Sequence, residues 1–174
     1  MRVLVLALAF GCVASAASAQ PIAAIHGSAA DVGAIKRLVS DATDGWDAFD
    51  VERATAEYTE DAYFLNAFGR ERRGRAAIKE LIGRVLASPG FRAGRKGPLQ
   101  ITSIEFLTPT LAMVHTTQET LGQKQLSGSD LGPRRSHIFR LVWKGDGGWQ
   151  TRAFIVSDER SGGTLPPEGQ PARR

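Results

Sequence analysis

Two histidines in the second half of the chain are the residues whose type and spacing best suit acid–base chemistry. His115 lies in the stretch Leu111–Leu121 and His137 in Arg135–Lys144. Both stretches alternate apolar with polar residues, a pattern that predicts β-strands. If these strands pair antiparallel about a point near Leu126, the two histidines lie opposite each other on one face of a sheet. A shift of one residue would turn that face over, so the prediction depends on the register.

A facing histidine pair admits three interpretations. Imidazole titrates nearest to neutral pH, which suits a general acid and base or a substrate contact. With Glu119 on the same face, the pair would supply ligands to a metal ion, but the sequence contains no HExxH run and no closely spaced histidine pair. In the third interpretation the imidazoles are hydrogen-bonded polar groups at the rim of a pocket. We predict His115 and His137 as catalytic candidates, with no metal ion and no cofactor.

Asn66 is the third candidate for contact with a ligand. It lies in the run Asp61–Gly69, which predicts a short strand, and a polar turn built on Arg70–Arg73 follows. An amide that faces an apolar cavity orients a carbonyl or hydroxyl group of a ligand; the alternative is that the adjacent turn satisfies the amide. The aromatic residues predicted to form the core or the wall of a substrate pocket are Trp46, Tyr63, Phe64, Phe68, Phe139 and Trp143.

Three helices in the first half of the chain are expected to support the sheet. Ser28 and Asp31 have the spacing of a capping box, and apolar residues recur at helical spacing through Val32–Trp46. Asp50 is the expected cap of a shorter second helix. A third helix is predicted at about Arg75–Leu86, where a Ser-Pro-Gly sequence ends it.

The apolar period changes from that of a helix to that of a strand after the basic loop Phe91–Pro98. The predicted strands are Leu99–Leu107, Leu111–Leu121, Arg135–Lys144 and Trp149–Ser157. Helices followed by an antiparallel meander, with one strand between the helices, predict an α+β domain. In it, three N-terminal helices pack on a strongly curved antiparallel sheet, and a concavity remains wherever the helices do not fill the sheet.

The first residues carry the pattern of an export signal. Arg2 precedes the apolar run Val3–Ala14, and Ala17–Ala19 fits a small-x-small cleavage site. The run is too short to span a bilayer as a helix. Cys12, the single cysteine of the sequence, lies within this signal, and a lipid anchor on it is the alternative interpretation. We predict a signal peptide at 1–19 and a mature protein in the periplasm or the medium, without stable membrane insertion.

Length and composition indicate a single globular domain after that signal. The chain has 174 residues, of which 43% are hydrophobic and 23% charged, the balance of an ordinary soluble domain. We predict a linker at 20–29, the domain at 30–160 and a disordered tail at 161–174, where Gly, Pro and charged residues dominate. The formal net charge is +4, but the basic residues are scattered outside one cluster at 70–75. We therefore predict no nucleic-acid partner.

A series of short motifs resembles the SnoaL-like branch of the nuclear transport factor 2-like (NTF2-like) superfamily. The motifs are Trp46-Asp-Ala-Phe-Asp50, Tyr58-Thr-Glu-Asp-Ala62, Phe68-Gly69, Gly74-Arg-Ala-Ala-Ile78 and Gly148-Trp149. The resemblance implies a cone-shaped α+β barrel with an apolar pocket, commonly a homodimer. That superfamily includes steroid isomerases, polyketide cyclases, dehydratases and members with no demonstrated activity, so the fold alone does not supply the chemistry.

The resemblance also implies where isomerase residues would lie. Ketosteroid isomerisation needs a carboxylate base and two acidic hydrogen-bond donors to the enolate. Asn66 stands where the base would be, and asparagine does not accept a proton at neutral pH. Phe139 and Ala42 stand where the two donors would be. The same comparison implies that Phe139 lies on the pocket side of the sheet. The two histidines share a face with Phe139, so they would face the pocket too.

We expect a homodimer that binds a small, largely apolar molecule in the cone. One hypothesis is a cofactor-free isomerase, cyclase or dehydratase, in which His115, His137 and Asn66 position and polarise the substrate. The other is a non-catalytic ligand carrier or a dimerisation or partner-binding module, which the three unfilled isomerase positions favour. The sequence leaves open whether the protein is an enzyme.

Overall fold

The computed structural model describes residues 27–160. The predicted signal peptide at 1–19, with Cys12, and the predicted tail at 161–174 lie outside the described residues, as does the linker up to residue 26. Within residues 27–160, no helix has both the length and the apolar character that crossing a membrane requires.

The helices of the described residues are α1 (Ala29–Asp47), α2 (Val51–Thr55), α3 (Arg75–Ala87) and α4 (Pro89–Arg92). The predicted caps are present: Ser28 Oγ accepts a hydrogen bond from the backbone N–H of Asp31 at 3.1 Å, and Asp50 Oδ1 accepts one from the N–H of Arg53 at 3.1 Å. The helix α4 lies next to and partly within the stretch predicted to be a loop, because the proline at its first position favours a new helical turn.

The strands form one sheet. They are β1 (Tyr58–Leu65), β2 (Glu71–Arg73), β3 (Arg95–Lys96), β4 (Gln100–Thr108), β5 (Leu111–Leu121), β6 (Arg134–Gly145) and β7 (Gly148–Asp158). Their order is β2-β1-β7-β6-β5-β3, and β4 also pairs with β5. The expected antiparallel meander is present from β4 to β7, whereas β1 runs parallel to β7 and makes the sheet mixed. The stretch predicted to be a polar turn contributes β2.

The register of β5 against β6 differs from the predicted one by two residues. His115 lies opposite Phe139, and His137 lies opposite Thr117. The connecting loop folds back through a bridge between Lys124 and Asp130, which centres the hairpin one residue beyond the predicted point. Since the difference is an even number of residues, the two histidines still share one face of the sheet.

The sheet has an inner face, which the helices cover, and an outer face. Buried residues of the inner face pack against α1 and α3; examples are Val114 and Val142 against Ile35, and Ile138 against Ile78. Side chains alternate between the faces of a strand, so the odd-numbered residues of β5 and β6 belong to the outer face. The helices therefore enclose space only on the inner face.

Candidate ligand-binding cavity

A cavity of about 910 Å³ lies between the helices and the inner face of the sheet. This volume is within the range of small-molecule sites, about 300–1,000 Å³. Its floor consists of four buried apolar side chains, Phe64, Leu81, Ile138 and Phe154. Burying an apolar ligand against them would remove both surfaces from water, which is the main favourable term in such binding.

The mouth of the cavity lies between the β1–β2 turn and the β5–β6 loop. Phe68, in the turn, is 58% exposed, and Leu126, in the loop, is fully exposed. The loop is attached to the helical side by a backbone hydrogen bond of 3.0 Å from Lys124 N–H to the carbonyl of Gly90 in α4. Two large apolar side chains are thus exposed to solvent at the entrance.

Four of the predicted site residues line this cavity: Trp46, Phe64, Asn66 and Phe68. The Asn66 side-chain oxygen accepts hydrogen bonds from the backbone N–H groups of Phe68 at 3.0 Å and Arg70 at 2.9 Å. Because both partners are donors, the oxygen is fixed toward the turn and the amide NH₂ is the group left for other contacts. The adjacent turn therefore satisfies the amide oxygen, as the alternative interpretation expected, and contact of the NH₂ group with a ligand stays a prediction.

The other predicted site residues are not in the cavity. The lining residues of β6 are the even-numbered Arg134, Ser136, Ile138 and Arg140, so the odd-numbered His137, Phe139 and Trp143 belong to the outer face, together with His115 and Tyr63. The prediction that the histidine pair faces the pocket is wrong. It relied on assigning Phe139 to the pocket side, whereas Phe139 points the opposite way.

The two histidines do meet on the outer face. His115 Nε2 lies 3.0 Å from His137 Nδ1, and His137 Nε2 lies 2.9 Å from Glu159 Oε1. The His115 ring stacks on Phe139 with the ring centroids 4.4 Å apart. Glu119 lies opposite Arg135 in the register. Among residues 27–160, no three His, Cys, Asp or Glu side chains are grouped closely enough to hold a metal ion.

Arg140 is a cavity residue that the sequence reasoning missed. Its side chain is 2% exposed, and Nε donates a hydrogen bond of 3.0 Å to Oε2 of Glu57, which is 1% exposed. Thr151 Oγ1 donates to the same carboxylate oxygen at 2.6 Å, and the guanidinium lies 4.7 Å above the Phe154 ring. The available signal was an arginine at the inner-face position between Ile138 and Val142, where the strand pattern demands an apolar residue.

Three atoms of this buried cluster have no hydrogen-bond partner among the described residues: Glu57 Oε1, Tyr58 Oη and Arg140 Nη1. Buried polar groups are normally satisfied, so the cluster has unused hydrogen-bonding capacity beside the cavity floor. Burial, reinforced by the Glu57 carboxylate and partly offset by Arg140, raises the pKa of Tyr58 well above its ordinary value. The phenol is therefore a neutral hydroxyl at physiological pH.

The ionisable residues that line the cavity are all cations. They are Arg70, Arg72, Arg84, Lys96, Lys124, Arg134 and Arg140, and no Asp, Glu or His is among the lining residues that the structure describes. Four of them pair with carboxylates set outside the lining, as Arg134 does with Asp158 at 2.7 Å. Arg70, Arg72 and Lys124 form no ion pair with any residue of 27–160. The cavity thus carries an excess of positive charge.

Solved structures share this architecture. A domain of unknown function with a cystatin-like fold from Nostoc punctiforme is 24% identical, with a TM-score of 0.65 over 77% of this chain and 80% of that one. A ketosteroid isomerase-like protein from Erwinia carotovora atroseptica is 17% identical, with a TM-score of 0.61 over 75% and 98% of the two chains. An NTF2-like protein with a cystatin-like fold from Novosphingobium aromaticivorans is 18% identical, with a TM-score of 0.56 over 76% and 84%.

The class that these findings define is the NTF2-like cone fold, so the predicted α+β architecture is confirmed. No protein-family model matches the sequence, and neither does any curated protein. At these identities the likeness concerns the fold alone, and the same fold hosts many unrelated functions. The argument for function therefore depends on the cavity itself.

Proposed function

We propose that this protein binds a small, largely apolar molecule in the cavity between its helices and the inner face of its sheet. The observation that carries the proposal is a void of about 910 Å³ whose floor is formed by Phe64, Leu81, Ile138 and Phe154. An apolar ligand in a cavity of this size would leave water and gain dispersion contacts with the floor. Arg140 and the Asn66 amide offer polar contacts to orient the ligand.

The charge of the lining favours a non-catalytic carrier over an isomerase, cyclase or dehydratase. General acid–base catalysis at neutral pH relies mainly on His, Asp or Glu within hydrogen-bond reach of the substrate, and no such residue lines the cavity in the described part of the chain. The family resemblance puts Asn66, which cannot act as a base, where an isomerase would carry its base, and the histidines lie on the other face of the sheet. We therefore propose ligand binding or transport as the activity.

Native mass spectrometry with a blocked cavity tests this proposal. Val85 lines the cavity from α3, whereas Ala87 is exposed on the same helix outside it. Val85→Trp would fill part of the void, and Ala87→Trp is the matched control. We expect wild type and Ala87→Trp to bind a co-purified or added apolar molecule that Val85→Trp does not bind. The proposal fails if wild type binds no apolar molecule, co-purified or added. It also fails if Val85→Trp binds every such molecule as well as wild type does.

The outer face of the sheet supports a second proposal, that two copies of the chain associate through it. Trp143 and Ile155 are each 39% exposed there, beside the partly buried Phe139 and Leu141. Exposed apolar side chains on one face suit an isologous interface, in which the same patch meets itself.

Ile155→Glu should shift a dimer to monomers in sedimentation velocity at micromolar concentration, whereas Ala76→Glu, on the exposed side of α3, should not. A wild-type monomer at that concentration would rule the dimer out.

Export to the periplasm or the medium is a proposal carried by the sequence alone. The intact mass of protein purified from an exporting host would test it, because cleavage after Ala19 and a lipid on Cys12 give different masses. An uncleaved chain would contradict export.

A further inference from the structure

The charges of the cavity lining differ with depth: the most buried one, Arg140, is paired with Glu57, whereas cations without a carboxylate partner among residues 27–160 lie at the mouth. The floor side chains are at most 8% exposed, as Ile138 is. Arg70 and Lys124 at the mouth are exposed. Arg134 lies between these levels and stacks over the Phe68 ring, with its guanidinium carbon 4.8 Å from the ring centroid. An occupant that matches this gradient has an apolar body and a polar end that stays near solvent.

The charge of the mouth selects the sign of that polar end. Arg134 is held by Asp158 Oδ2 at 2.7 Å and by Gln123, so its charge is largely compensated. Arg70, Arg72 and Lys124 have no carboxylate partner within residues 27–160, although Arg72 donates to the carbonyl of Glu71 at 2.6 Å. A cleft of one sign with low-dielectric walls concentrates counter-charged ligands. A cationic ligand would meet uncompensated repulsion in the same place.

We infer, on the basis of the cavity function proposed above, that the ligand is an anionic amphiphile. Its apolar body lies on Phe64, Leu81 and Phe154, and its acid group, a carboxylate or a related monoanion, lies at the mouth near Arg70 and Lys124. Guanidinium and ammonium groups donate charge-assisted hydrogen bonds to such anions. The free amphiphile is the ligand, taken from solution.

A matched pair of fluorescent probes isolates the contribution of charge. 1-Anilinonaphthalene-8-sulfonate carries the anion, and N-phenyl-1-naphthylamine has the same aromatic body without it. Dissociation constants are measured for wild type, for Arg70→Gln/Lys124→Gln, and for Lys36→Gln/Arg37→Gln. The last variant removes the same two charge types from the exposed surface of α1, outside the cavity. Equal melting temperatures and the Val85→Trp block confirm that folded protein binds both probes in the cavity.

The expected result is a selective loss of anion affinity. Arg70→Gln/Lys124→Gln should raise the dissociation constant of the sulfonate probe roughly three- to tenfold, because two exposed charge contacts are lost. The dissociation constant of the neutral probe should not change. Salt at about 0.5 M should lower the affinity of wild type for the sulfonate probe in the same way, because charges are then screened over a few ångströms. Lys36→Gln/Arg37→Gln should change neither probe.

Other results overturn the inference in distinguishable ways. If the neutral probe binds in the cavity and the sulfonate probe is excluded or insensitive to both Arg70→Gln/Lys124→Gln and salt, the anionic ligand is wrong while the cavity function stands. If neither probe binds, the cavity function fails too. Laurate should displace the sulfonate probe. Displacement by phosphatidylglycerol vesicles but not by laurate would assign the mouth to a membrane surface and overturn the free ligand.

Discussion

The guanidinium of Arg140 and the carboxylate of Glu57 form an ion pair inside the apolar core, with Arg140 Nε 3.0 Å from Glu57 Oε2. Neither side chain is more than 2% exposed. The pair connects β6 to the residue that precedes β1, two parts of the chain that are far apart in sequence. Such a pair carries a large desolvation penalty, which the partner charge and the Thr151 hydroxyl offset.

Removing one partner of this pair should be far more costly than removing both. Arg140→Met leaves a buried carboxylate without its cation and should lower the free energy of unfolding by about 3–5 kcal/mol. Glu57→Met/Arg140→Met replaces both charges with side chains of similar length and should cost much less than either single change. Urea unfolding of the four proteins gives the double-mutant cycle. Additive losses would show that the two groups are not coupled.

Asp31 should make stability depend on pH in the acidic range. Its carboxylate accepts hydrogen bonds from Lys144 Nζ at 2.7 Å and Trp149 Nε1 at 2.9 Å, and from the Ser28 hydroxyl. The Lys144 hydrogen bond, followed by those of Ser28 and Trp149, holds the pKa of Asp31 far below its usual range. A depressed pKa in the folded state stabilises the protein above the unfolded pKa of about 3.9. That contribution is lost as the pH falls toward the folded value.

The measurement compares wild type with Asp31→Asn. At pH 7 the variant should melt at a lower temperature, and the difference should narrow as the pH falls below about 4, where the unfolded chain begins to bind the proton. Asp130→Asn, in the exposed β5–β6 loop, serves as the control for the loss of one carboxylate. A difference between wild type and Asp31→Asn that stays constant down to pH 2 would contradict the assigned pKa direction.

The sequence predicted the elements well because their signals are local. The capping residues Ser28 and Asp50 and the apolar period of α3 depend on neighbours within one or two turns, and the structure has each of these helices. The alternating strands β4 to β7 follow from the same kind of short pattern. The parallel pairing of β1 with β7 joins distant segments, and no local signal announces it.

The site was harder to predict because it depends on which face of a strand turns inward. Alternation identifies two faces, and on β6 both contain apolar residues: Ile138 and Val142 on one, Phe139 and Leu141 on the other. Choosing the face with the histidines placed four candidates from β5 and β6 on the side away from the cavity. Arg140 made its own face of β6 look solvent-exposed, because a charged residue is rarely buried. Only the contact with Glu57, a residue 83 positions away, explains why it is tolerated there.

Two substitutions of Asn66 should separate its contribution to the stability of the turn from its effect on ligand binding. Asn66→Ala removes the acceptor of the Phe68 and Arg70 N–H groups and should lower the free energy of unfolding by about 1–2 kcal/mol. Asn66→Asp retains that acceptor and should remain near wild-type stability. Its carboxylate would, however, add a negative charge beside the cationic mouth, so it should weaken the sulfonate probe and not the neutral one. Equal losses of both probes would indicate a distorted turn instead.

The outer-face histidines should be dispensable for ligand binding. His115 and His137 hydrogen-bond to each other, and His137 also to Glu159, on the side of the sheet away from the cavity. His137→Ala should cost about 0.5–1.5 kcal/mol of stability for the lost hydrogen bonds. Both probes should bind His115→Ala and His137→Ala with affinities within about twofold of wild type, since neither side chain lines the cavity. Val85→Trp is the positive control, because it should abolish binding without touching the outer face. Loss of probe affinity in a histidine variant that melts like wild type would restore these residues to the site.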